Sequence, residues 1–121
     1  MDNKRKTSRV IARLEGTVSK DKRLILYAAR IKDVSETGIC VQLKQYFEVG
    51  ALLEIEVRSD EFRVPLKGTT RVMWIRHRDS QRFPYEAGLQ FVEILPADRA
   101  KLCGYVLHSL QRGGKDIPWL D

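Results

Sequence analysis

The sequence predicts a mainly β domain, a barrel or sandwich of short strands followed by one C-terminal helix. Apolar and polar residues alternate through several short runs, turn-forming clusters separate those runs, and a single stretch after Pro96 changes to a four-residue apolar period. At 121 residues, the chain is long enough for one domain with its own core. A hydrophobic content of 43% with 31% charged residues is that of a folded globular chain rather than a disordered one. No apolar run approaches the roughly 20 residues that a spanning helix needs. The basic start runs into Val10-Ile11-Ala12-Arg13 and so lacks the apolar core of a secretory signal. A cytoplasmic location is the expectation.

The first strand is predicted over 10–18, where Val10, Ala12, Leu14, Gly16 and Val18 alternate with Ile11, Arg13, Glu15 and Thr17. Ser19-Lys20-Asp21-Lys22 reads as a charged hairpin tip, and 24–32 returns as the second strand. Asp33-Val34-Ser35-Glu36-Thr37-Gly38 reads as a polar turn into a third strand marked by Ile39, Val41 and Leu43. After a loop over 45–50, Leu53, Ile55 and Val57 alternate with Glu54, Glu56 and Arg58. Phe62 to Leu66 is expected to pair back as an edge strand, because Pro65 removes a ladder donor. In the strand over 71–78, Val72 and Trp74 are expected on one face, Met73 and Ile75 on the other. A polar loop, 79–84, leads to the last strand, 85–94.

Pro96 suits a first helical turn and Asp98 complements the helix dipole. Leu102, Val106 and Leu110 recur every four residues with Leu107 beside them, so this helix is expected to cover the barrel until Gly113-Gly114 ends it. The expected organisation is a mobile basic arm over 1–9, a barrel and helix over 10–112, and a tail over 113–121 whose Trp119 folds back or meets a partner.

The catalytic inventory is short. His77 and His108 lack a second ligand at metal spacing, Glu54 and Glu56 lie along an outward strand face, and no nucleophile-elbow, Walker or dinucleotide motif is present. Cys40 and Cys103 are far apart and fall in apolar runs, which reads as two buried free thiols. No enzyme, metal site or resident cofactor is expected.

Charge points elsewhere. The net charge is +6, from 22 Lys and Arg against 16 Asp and Glu. Within residues 1–13, Lys4, Arg5, Lys6, Arg9 and Arg13 face Asp2 alone, a local +4 that suits an anionic partner. Arg5 and Arg9, four apart, lie on one side of an extended or helical segment, with Cα atoms at most about 14 Å apart when extended. Guanidinium forks match phosphate oxygens or the O6 and N7 edge of guanine. Asp33 can accept from guanine N–H groups, Ser35 can bond a phosphate or sugar oxygen, and Gly38 allows close backbone approach.

Arg5-Lys6-Thr7-Ser8-Arg9 followed by Asp33-Val34-Ser35-Glu36-Thr37-Gly38 resembles the two-part signature of PilZ domains, RxxxR and D/N-x-S-x-x-G. Val72-Met73-Trp74-Ile75-Arg76 resembles the family's late strand. Gly88-Leu89-Gln90-Phe91, running into the Pro96 helix, resembles its ending. The resemblance implies a six-stranded antiparallel barrel with a C-terminal helix that binds the bacterial second messenger cyclic di-GMP through Arg5, Arg9, Asp33, Ser35 and Gly38. Lys4 and Lys6 would add secondary contacts. Lys4 stands where many members have a further arginine, and a lysine neither forks nor stacks as arginine does, which bears on whether one ligand or two is bound.

A stand-alone receiver that reports to an unidentified protein partner is the expectation. A ligand-independent adaptor using the Trp119 tail is the alternative. A nucleic-acid-binding barrel would need stacking aromatics beside the cations, and residues 1–13 hold none.

Overall fold

The computed structural model describes residues 9–20 and 25–112. Six antiparallel strands close a barrel in the order β1-β2-β3-β6-β5-β4, with β1 also pairing with β4. They are β1 (Arg9–Lys20), β2 (Tyr27–Ser35), β3 (Gly38–Leu43), β4 (Leu52–Arg58), β5 (Leu66–His77) and β6 (Tyr85–Glu93), followed by helix α1 (Pro96–Gln111). No described helix is long and apolar enough to cross a membrane.

The interior is filled by the inward members of each alternating run. Val10, Val18, Ile31, Val41, Leu43, Leu53, Leu66 and Val72 are all under 2% exposed. Full burial of such a side chain is worth about 1.5 to 3 kcal/mol, so these positions dominate the stability of the closed sheet. Thr70 joins them because its hydroxyl donates to the Leu53 carbonyl at 2.9 Å, which removes the penalty of an unpaired buried polar group. Helix α1 buries Leu102 and Val106 in the same core and packs against β1, β2 and β5. Leu107, expected beside that stripe, is exposed. The Asp98 carboxylate accepts from the Lys67 backbone N–H at 3.2 Å and pins the helix start to β5.

Along the strands, the structure departs from expectation in four places. β2 does not end at Lys32 but continues through Ser35, because β1 pairs with it as far as Arg9↔Ser35; the turn proper is Glu36-Thr37. Ser19 and Lys20 likewise belong to β1, paired with Glu54 and Leu53 of β4. Phe62–Leu66 is not a separate strand: only Leu66 is in a ladder, as the start of a β5 that runs on to His77. Val72 and Trp74 do not share a face, because the β5–β6 register shifts between them. This bulge keeps Val72 in the core and sends both Met73 and Trp74 outward.

Cys40 is buried as expected, but Cys103 is only half-buried on α1. The expected arm, except for Arg9, and the tail with Trp119 lie outside the described residues.

Candidate functional site

The polar residues singled out from the sequence meet at one corner of the barrel wall. The β1–β2 register sets Arg9 opposite Ser35, and two residues upstream Asp33 lies opposite Ile11. Ile39 and Val41 point into the core, so Cys40 between them faces outward, and Asp33, its partner across the ladder, faces outward too. Of the expected ligand residues, Arg9, Asp33, Ser35 and Gly38 are brought together here. Lys4, Arg5 and Lys6 lie outside the described residues.

Arg9 NH1 donates to Asp33 Oδ1 at 2.6 Å, and their side chains are 16% and 1% exposed. Asp33 Oδ2 is buried without a hydrogen-bond partner among the described residues. Burial pushes the Asp33 carboxyl above its ordinary value, outweighing the bond to Arg9 and the pull of Arg9 and Lys32. Asp33 is therefore a buried acceptor with one oxygen unfilled.

Ser35 is used mainly by the protein itself. Its Oγ accepts from the backbone N–H groups of Thr37 at 3.3 Å and Gly38 at 3.2 Å, closing the hairpin as a serine turn. Gly38 has a structural role of its own. A Cβ there would stand 2.5 Å from the Leu89 carbonyl oxygen, because β3 and β6 pair at Gly38↔Gln90 and Ile39↔Leu89. Arg99 of α1 donates to the Glu36 carbonyl at 3.0 Å, tying the helix to this turn.

Two features of the site were not legible in the sequence. The first is Trp74. Successive registers place Asp33, Cys40, Gly88 and Trp74 in one row across four strands, about 14 Å at ordinary strand spacing. The indole lies over Gly88, where a Cβ would be 2.1 Å from Nε1, and it stays 41% exposed with the Arg76 guanidinium 5.7 Å from its ring. It offers a flat aromatic surface three strand spacings along the wall from the buried Asp33 carboxylate.

The second is Glu86, on the neighbouring row. Its carboxylate gathers Lys32 Nζ at 3.3 Å, Arg76 NH2 at 3.0 Å and Arg78 Nε at 3.8 Å, and accepts from the Cys40 thiol at 3.6 Å. Burial pushes Cys40 far up, helped by Asp33 and Glu86, so it is an inert thiol. Burial also works against the charged form of Glu86, but Lys32 and Arg76 outweigh it and hold that carboxyl below its usual value.

The sign for stability follows. A depressed folded value means that Glu86 stabilises the fold above the ordinary carboxylate range, and that this is lost as pH falls through the lowered value. Urea midpoints of the wild type and Glu86→Gln should differ at neutral pH and converge at acid pH, once the pH has fallen through that lowered value. A constant gap down to that pH would remove the ion cluster as its cause.

Beside this corner, a groove of about 470 Å³ is lined by Ile11, Arg13, Arg30, Lys32 and Gln42, among others. The wall thus offers a hydrogen-bond acceptor, a stacking surface and several cations on one outer face, which is the chemistry of a nucleotide site. No group of three His, Cys, Asp or Glu among the described residues could hold a metal.

Comparison with known proteins bears on the family and the fold. The family model described as "PilZ domain" matches residues 3–108. Among solved structures, the inhibitor of motility MotI/DgrA of Bacillus subtilis superposes with a TM-score of 0.75 at 19% identity, covering 92% of this chain and 53% of that one. The PilZ domain of YcgR from Escherichia coli, solved with c-di-GMP, gives 0.70 at 14% identity and covers 92% and 95%. MrkH of K. pneumonia gives 0.72 at 16% identity and covers 93% and 51%. The chain therefore spans about half the length of MotI and MrkH. No curated protein sequence matches it.

Proposed function

The chain belongs to the PilZ domain family, and from that premise we propose that it is a cyclic di-GMP receptor whose ligand lies across the Arg9, Asp33 and Trp74 corner. The observation that carries this reading is the buried Asp33 oxygen left without a partner among the described residues, beside the Arg9 guanidinium. A guanine edge supplies the N–H donor that this acceptor lacks, and the guanidinium has the fork geometry for phosphate or for guanine O6 and N7. The YcgR PilZ domain, with the same fold, was solved with c-di-GMP.

In this reading, each residue has a separate role. Arg9 and Arg5 grip the phosphates and the guanine edge, with Lys4 and Lys6 adding charge. Asp33 reads the base. Trp74 stacks on a base, and Ser35 and Gly38 hold the turn that fixes Asp33 in place. Ligand closes the arm carrying Arg5 over the outer face, and the altered surface is read by a partner protein. The protein acts as a receptor and performs no chemistry on the ligand.

Isothermal titration with cyclic di-GMP, with linear GMP as control, tests the reading. Saturable binding of the cyclic dinucleotide alone is expected, and the fitted ratio gives one ligand or two. No heat and no shift in melting temperature at high ligand would leave a barrel that signals by protein contacts only. In the same titration, Trp74→Ala should lose about 1 to 3 kcal/mol of binding, the worth of one base stacked on an aromatic ring. The melting temperature should barely change, because the ring lies outside the core. Unaltered affinity would remove Trp74 from the site.

A further inference from the structure

The loop between β5 and β6 builds a second charged surface that the ligand reading does not use. It is pinned by its own hydrogen bonds: Arg78 N–H to the Pro84 carbonyl at 2.7 Å, Arg78 NH1 to the Phe83 carbonyl at 3.0 Å and Phe83 N–H to Ser80 Oγ at 3.2 Å. The result is an unusual placement of Phe83. The ring is only 7% exposed, yet it is not part of the barrel's core cluster. It lies under three cations, with the Arg30 guanidinium 4.6 Å, the Lys44 ammonium 5.6 Å and the Arg82 guanidinium 5.9 Å from its centroid.

All three cations are exposed, and none has a carboxylate within 4.0 Å among the described residues. The ring's negative face offsets part of their mutual repulsion, at about 0.5 to 1 kcal/mol for an exposed contact. Positive charge is thus concentrated, with no counter-ion among the described residues. Beside it Tyr46, 56% exposed, packs edge-on against Tyr85, which meets His77 in the same way.

We propose that this surface, formed by Arg30, Lys44, Tyr46, Arg82 and the Phe83 loop, docks an acidic segment of another protein. Several adjacent carboxylates would supply the charge that the cluster lacks, and Tyr46 would take an apolar side chain between them. A nucleic acid fits less well. Stacking needs open aromatic faces, and the Phe83 ring is already covered, which leaves Tyr46 and the His77 imidazole as the exposed rings beside it among the described residues. The inference stands apart from the cyclic di-GMP reading, since Lys44, Tyr46, Arg82 and Phe83 have no part in it; only Arg30 also lines the groove beside that site.

Fluorescence anisotropy of the full chain at low salt tests it, using a labelled peptide of Glu and Leu in a two-to-one ratio, its Gln-for-Glu counterpart and labelled oligo(dT). The acidic peptide should bind and the Gln peptide should not. Lys44→Glu with Arg82→Glu should weaken the peptide at least about tenfold. The same charge change at Lys4→Glu with Lys6→Glu should leave it within about twofold. An unchanged melting temperature and an unchanged cyclic di-GMP titration of the Lys44 and Arg82 variant would show that only the surface was altered. The proposal is overturned if the acidic peptide fails to bind, if the arm variant abolishes binding while the loop variant keeps it, or if oligo(dT) binds more tightly than the peptide and loses that binding in the loop variant.

Discussion

Arg9→Ala is expected to cost the fold about 3 to 5 kcal/mol as well as its ligand, because it leaves the Asp33 carboxylate buried without the 2.6 Å charge partner it has now. The size of that loss depends on pH. Burial already raises the Asp33 carboxyl, and removal of Arg9 raises it further, so the folded variant binds a proton that the unfolded chain releases. Its stability then falls as pH rises through the raised value, and the gap to the wild type is largest at neutral pH.

The double variant Arg9→Ala, Asp33→Asn separates the two roles of the pair. Replacing the carboxylate by a neutral amide removes the unpaired charge, so most of the stability should return while cyclic di-GMP binding stays lost. Urea denaturation at two pH values, followed by calorimetry on the double variant, gives both answers. An Arg9→Ala protein as stable as the wild type would show that the pair contributes nothing net to the fold. Recovered ligand binding in the double variant would remove Arg9 from the site.

Gly38→Ala is the second large effect, and it is expected in stability before it is seen in affinity. The added methyl would lie 2.5 Å from the Leu89 carbonyl oxygen, a backbone atom of the paired strand that cannot swing aside. Over-packing of this kind costs about 1 to 3 kcal/mol and here also loosens the β3–β6 ladder. The Gly38 N–H to Ser35 Oγ bond that closes the turn lies in the same place. Urea midpoints should fall, whereas titration at low temperature, where the variant is folded, should show at most a modest loss of ligand affinity. A stable variant that binds no ligand would instead make Gly38 a point of direct backbone contact with cyclic di-GMP.

Much of the barrel was readable because strand side chains alternate with a period of two. Val10, Val18, Val41 and Leu53 belong to the alternating apolar sets that this rule picks out, and they are buried. The rule fails where a strand bulges, since one extra residue exchanges the faces without leaving a mark in the hydrophobic pattern. That is why a period of two groups Trp74 with Val72 and hides its place on the outer wall. The expected end of β2 at Lys32 has a different cause: Asp33 and Ser35 are turn-forming types, and only pairing with β1 holds them extended. Glu86 carried a faint signal, a carboxylate between the apolar positions of the last strand. Its three cations come from β2, β5 and the loop after β5, and nothing local in the sequence joins them.

The sequence by itself determined the β class, the approximate strands, the single helix and the motif residues Arg9, Asp33, Ser35 and Gly38, because these rest on local periodicity and on side-chain chemistry. Tertiary structure alone decided that Arg9 and Asp33 form a buried pair, that Ser35 and Gly38 serve the turn and the β3–β6 contact, and that Trp74, Glu86 and the cations over Phe83 share the outer wall. Those outcomes depend on strand register and barrel closure, which bring together residues up to 54 positions apart.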